Sequence, residues 1–108
     1  MSEVQQIPRE EWPVTWSGSW RHIYVIQEGE GGPVKVGIAA NAFWRISDLQ
    51  VGNFRPLKLI AVFTCEDKAN ARRIERWAHF QLEESHLAGE WFNEHPEAVV
   101  ALLKSRCT

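Results

Sequence analysis

The scarcities of this chain set its first bounds. No stretch of its 108 residues approaches the ~18 consecutive apolar residues of a membrane span, which argues against a membrane partner. The first residues are polar and acidic, without the apolar core of a secretory signal, so the cytoplasm is the expected compartment. Cysteine is rare: Cys65 and Cys107 have neither metal nor redox spacing and read as free thiols. Tyrosine is rarer, with Tyr24 alone. There is no internal repeat and no low-complexity tract, and the length suits one domain with a single modest core. Positive charge is not in excess either. The net charge of −2 speaks weakly against a dedicated nucleic-acid binder.

The charge that is present is unevenly spread. From Lys35 to Arg76 there are eight Lys or Arg against four acids, and from Trp77 onward two against five. The middle of the chain is therefore the part expected to face an anion. Tryptophan is abundant, and Trp12, Trp16 and Trp20 fall in a segment that Pro8, Pro13 and Gly18 keep from being helical. Residues 1–20 read as an arm whose indoles pack on the body or on a partner, an arm-mediated dimer included. Residues 21–108 read as the single domain.

Within that domain, Arg21 to Glu28 alternates as a strand, and the Gly-rich stretch from Glu28 to Pro33 reads as a hairpin loop. Val34, Val36 and Ile38 alternate with Lys35 and Gly37 in a second strand. Asn41 is a suitable N-cap for a helix that carries Phe43, Ile46 and Leu49 inward and ends at Gly52-Asn53. Arg45 falls near the start of that helix, where the dipole favours acids, so it is expected to face something anionic. Leu57 to Cys65 is a near-continuous apolar run suited to a central strand. Lys68 to Glu84 reads as the longest helix, with Ala71, Ile74, Ala78 and Leu82 as its inward stripe and Trp77 and Phe80 widening it. Gly89 to Phe92 is a short extended or turn segment. Pro96 to Arg106 reads as a last helix burying Val99, Val100, Leu102 and Leu103. The order β-β-α-β-α-α gives an α+β fold, a three-stranded, mostly antiparallel sheet flanked by helices.

These elements carry a pattern that resembles the GIY-YIG nuclease family over about Arg21 to Phe92. The first motif matches His22-Ile23-Tyr24 and the second Lys35-Val36-Gly37, with Arg45 eight residues beyond Gly37 and Glu75 on the helix after the third strand. The segment Gly89-Glu90-Trp91-Phe92 is similar to one in small phage and bacterial domains of that kind. The family's late asparagine has no clear match; Asn93 lies far from Glu75 in sequence. The resemblance implies a GIY-YIG-like fold and a metal-dependent endonuclease that nicks or cuts DNA, or another nucleic acid, by hydrolysis with one Mg²⁺ or Mn²⁺ ion. Tyr24, Lys35, Arg45 and Glu75 would be its catalytic residues, with Glu75 holding the metal.

The chemistry of each residue type fits such a reaction. Phosphodiester hydrolysis needs an activated water, neutralised phosphate charge and help for the leaving oxygen. Tyr24 would act as base if a nearby cation, supplied by Lys35, lowered its pKa. Arg45 offers a planar fork of donors to a phosphate. Glu75 suits a hard divalent cation. The plainer alternatives stay open: an amphipathic Tyr24, a solvated Lys35, Arg45 paired with Asp48, and Glu75 paired with Arg72. His79, one turn beyond Glu75, either assists the site or is structural, and His22 is a weaker assisting candidate. Arg55, Arg72, Arg73 and Arg76 are candidates for nucleic-acid backbone contacts. Trp44 is expected to cap the core rather than serve as a stacking platform. A nucleic-acid-binding module without catalysis is the other reading of the same scaffold.

Overall fold

The computed structural model describes residues 4–12 and 21–106. Trp16, Trp20 and Cys107 lie outside the described residues. The sheet is six-stranded rather than three-stranded, in the order β1-β4-β2-β3-β6-β5 and antiparallel at every pairing. Its centre is the expected trio: β2 (His22–Glu28), β3 (Val34–Ala39) and β4 (Leu57–Cys65). The extra strands are short: β1 (Val4–Gln6) extends the β4 edge, and β5 (His86–Ala88) and β6 (Trp91–Phe92) extend the β3 edge. Strands of two or three residues leave too few alternations to register as a pattern in sequence.

Three helices flank the sheet: α1 (Ala42–Val51), α2 (Lys68–Gln81) and α3 (Pro96–Lys104). The side chains of Asn41 and Asp67 cap the first two, accepting from the backbone N–H of Trp44 and Asn70. The core lies on both faces of the sheet. On one, Ile23, Val25, Val36, Ala61 and Phe63 pack with Ala71, Ile74, Ala78 and Leu82 of α2 and with Val99 and Leu103 of α3. On the other, Tyr24, Ile26, Ala39, Leu59 and Val62 pack with Ala42 of α1 and with Trp12. A bulge keeps β4 in phase with these two cores. Val25 pairs with Ala61 but Ile26 with Leu59, so Ile60 is the extra residue and Leu59 returns to the Tyr24 side.

The inward stripes of α2 and α3 are where their spacing puts them. The exceptions are aromatic. Phe80 and Trp44 are exposed, and Phe43 borders the surface beside Trp12 at 6.0 Å. Trp12 itself is buried, with its indole N–H donating to the Ile7 carbonyl at 3.0 Å and the Arg9 guanidinium over its ring. Trp12→Ala should therefore lower stability by roughly 3–5 kcal/mol in a urea melt. A loss below about 1 kcal/mol would mean that residues 4–12 add little to the core.

Candidate functional site

Four residues of α2 stand at i, i+4, i+7 and i+11: Lys68, Arg72, Glu75 and His79. That spacing lines them along one edge of the helix. Across from this edge, Tyr24 of β2 pairs in register with Gly37 of β3. Gly37 has a steric reason to be glycine. A Cβ there would sit 2.6 Å from the Tyr24 ring carbon Cζ and 2.9 Å from Glu90 Oε1, so the phenol and a carboxylate occupy the space where any other side chain would begin.

Glu90 comes from the β5–β6 hairpin, whose two-residue loop is Gly89-Glu90. Gly89 has the positive φ (57°) that such a tight loop asks for. The Glu90 carbonyl accepts from the Val36 backbone N–H at 3.2 Å, which ties the loop to β3. Its side chain pairs with Lys35 at 3.0 Å. Lys35 is buried, and its ammonium also lies over the Trp91 ring at 5.4 Å.

The cation beside Tyr24 is Arg45, not Lys35. The guanidinium of Arg45 hydrogen-bonds the phenol oxygen. This favours the ionised phenol, but burial outweighs it, and with Glu90 and Glu75 nearby the Tyr24 pKa rises to about 12. The expected lowering of this pKa is therefore overturned: β2 holds Tyr24 in the interior, 1% exposed.

Glu75 is 9% exposed, and its Oε2 is buried without a hydrogen-bond partner among the described residues. Burial and the neighbouring Glu90 carboxylate push its pKa up to about 7. Arg72 and Lys35 offset this only in part. One atom each of Glu75, Glu90 and His79 lie within 4.8 Å of one another. The Nε2 of His79 lies 2.9 Å from the Val36 carbonyl, which can only accept, so Nε2 is the donor of that bond.

A hollow of about 390 Å³ opens beside these groups, lined by Tyr24, Ile38, Arg45, Lys68, Arg72 and Glu90. Tyr24 and Arg45 face it directly. Lys35 joins through Glu90, and Glu75 and His79 through the acid cluster. Arg72 is the one backbone-contact candidate that lines it. Arg73 bonds Asn70 on the surface and Arg76 is exposed, while Arg55 lies against Gly29 at the opposite end of β2 from His22. His22 is buried in the sheet, and burial, aided by Arg21, lowers its pKa, so it is a neutral interior imidazole. Asn93 lines a separate hollow with Gln27, Gly31, Glu94 and His95. Sequence reasoning missed Glu90 and Lys68. The Gly-Glu-Trp-Phe segment was visible, but nothing in one sequence shows that its hairpin folds back onto β3.

The fold and site thus define a small α+β domain in which a buried glutamate, Glu75, joins a half-exposed Glu90 and His79 beside a cation-rimmed hollow. The chain belongs to the T5orf172 domain family, whose model matches residues 21–107. No curated protein and no solved structure matches it. Among the described residues, no helix is long and apolar enough to cross a membrane.

Proposed function

We propose that this T5orf172 domain is a GIY-YIG-type, metal-dependent phosphodiesterase that nicks or cuts DNA in the cytoplasm. The observation that carries the reading is the orphaned, buried Glu75 carboxylate oxygen beside Glu90, His79 and a hollow rimmed by Arg45, Lys68 and Arg72. A buried carboxylate without a partner is costly, and a second carboxylate beside it raises the cost. A divalent cation removes both. Two carboxylates with an imidazole suit one Mn²⁺ ion, or Mg²⁺ with Glu75 and Glu90 as its protein ligands. The ion would supply charge neutralisation at the phosphate and the leaving oxygen.

The chain's own residues do the rest. Arg45 and Arg72 hold the phosphate in the hollow. Tyr24, once it has given its own proton to water in the hollow, would take a proton from the attacking water as the phenolate, which Arg45 stabilises. Lys35, paired with Glu90, would add positive charge on that side of the hollow. The non-catalytic reading, a nucleic-acid-binding module, has two observations in its favour: the Lys35 ammonium is held by Glu90, and burial raises the Tyr24 pKa to about 12.

The test is supercoiled plasmid DNA with the purified protein. Nicking should appear with Mn²⁺ or Mg²⁺ and stop when the ion is chelated. Salt-sensitive binding without products under any divalent ion would leave the binding module as the function.

A further inference from the structure

Beside the phosphate hollow lies a second one, of about 190 Å³, lined by Ala39, Ala40, Asn41, Trp44, Arg45 and Asp48. The two share Arg45 as a common wall. Trp44 is 74% exposed although it is the largest side-chain type and stands on α1, whose Ala42 joins the core that buries Trp12. Its backbone is fixed, because its N–H donates to the capping Asn41 side chain at 3.2 Å in the first turn of α1. An uncovered indole on an anchored turn of α1, in a hollow it shares with Arg45, is an unusual thing to leave in water.

We infer that this second hollow is a nucleotide subsite in which an unpaired base stacks on Trp44 while its own phosphate is held by Arg45. The inference rests on the nuclease reading above and adds a substrate class to it: single-stranded nucleic acid, or a base displaced at a nick, flap or end. Two features point to a base rather than to more backbone. The floor is Ala39 and Ala40, small and apolar, which leaves the indole face open. Asp48, one turn beyond Trp44, repels a second phosphate but accepts a hydrogen bond from an exocyclic amino group. A paired base within a duplex shows only its edges, whereas stacking needs its face, so the base must be out of the helix.

The probe is a labelled 12-nucleotide single-stranded DNA and the blunt duplex of the same sequence, titrated in chelating buffer with the wild-type chain, Trp44→Ala, Trp44→Phe and Phe54→Ser. Phe54 is a fully exposed aromatic that lines neither hollow, and its replacement controls for general surface apolarity. Trp44→Ala should weaken single-strand binding roughly tenfold to a hundredfold. It should leave duplex binding and the melting temperature unchanged, and Trp44→Phe should restore most of the loss. Equal affinity of wild type and Trp44→Ala for the single strand overturns the subsite while the nuclease reading stands. Parallel losses on both substrates, or the same loss in Phe54→Ser, also overturn it. If the wild-type chain binds neither DNA and nicks no plasmid, the nuclease reading falls and the subsite with it.

Discussion

Glu75→Gln is expected to have two opposite effects: a more stable metal-free protein at pH 8 and a loss of plasmid nicking of about 1000-fold. The stability effect follows from proton linkage. The Glu75 carboxyl titrates near 7 in the folded chain, above the ordinary carboxylate value it regains on unfolding. Between those two values the folded state holds more protons than the unfolded state, so stability falls as pH rises. The contribution is complete below about pH 4.5 and is lost through pH 7. At pH 8 the wild type carries a buried carboxylate that burial and Glu90 both oppose. Glutamine keeps the shape, removes the charge and recovers roughly 1–3 kcal/mol, or about 4 °C or more in a domain of this size.

The same charge is what would bind a cation. Mn²⁺ should raise the wild-type melting temperature strongly at pH 8 and weakly at pH 6, where protons compete for the site. It should barely move Glu75→Gln. Paired melts with and without Mn²⁺ at the two pH values, beside nicking rates, make the comparison. A variant that is less stable than wild type at pH 8 and responds equally to Mn²⁺ would show that Glu75 serves the fold and not an ion.

Much of this site was legible because its parts lie on long elements. Periodicity places Tyr24 and Lys35 on adjacent strands, and Asn41 fixes where α1 begins and hence where Arg45 sits. The i+4 step from Glu75 to His79 is visible on any helix. What could not be read was which charge meets which. Lys35 is engaged by Glu90 rather than by Tyr24, and Glu90 comes from a hairpin of three-residue and two-residue strands. The exposure of Trp44 was hidden for a similar reason. An indole next to a helix start reads as core by its type, whereas here Ala42 and Ile46 of α1 turn inward and Trp44 is left outside.

Gly37→Ala should damage the site although it adds a single methyl. Judged by backbone alone it ought to help, because Gly37 is not among the glycines with positive φ and alanine loses less entropy than glycine in a strand. The structure reverses that expectation. The new methyl would lie 2.6 Å from Tyr24 Cζ and 2.9 Å from Glu90 Oε1. Tyr24 is buried and cannot swing aside, and Glu90 is held by the backbone bond to Val36 and the pair with Lys35. Overpacking of this kind costs about 1–3 kcal/mol, and a displacement near 1 Å at a reacting group costs about 100-fold in rate. Gly52→Ala is the matched control: it adds the same methyl at the end of α1, where the nearest atom is 4.0 Å away. Nicking rates and melts should separate the two, with Gly52→Ala at wild-type activity and Gly37→Ala down about 100-fold even at temperatures where it stays folded. Equal rates for both variants would mean that the Tyr24 hydroxyl does no work where it lies over Gly37, and the base assigned to the reaction would have to be sought elsewhere in the hollow.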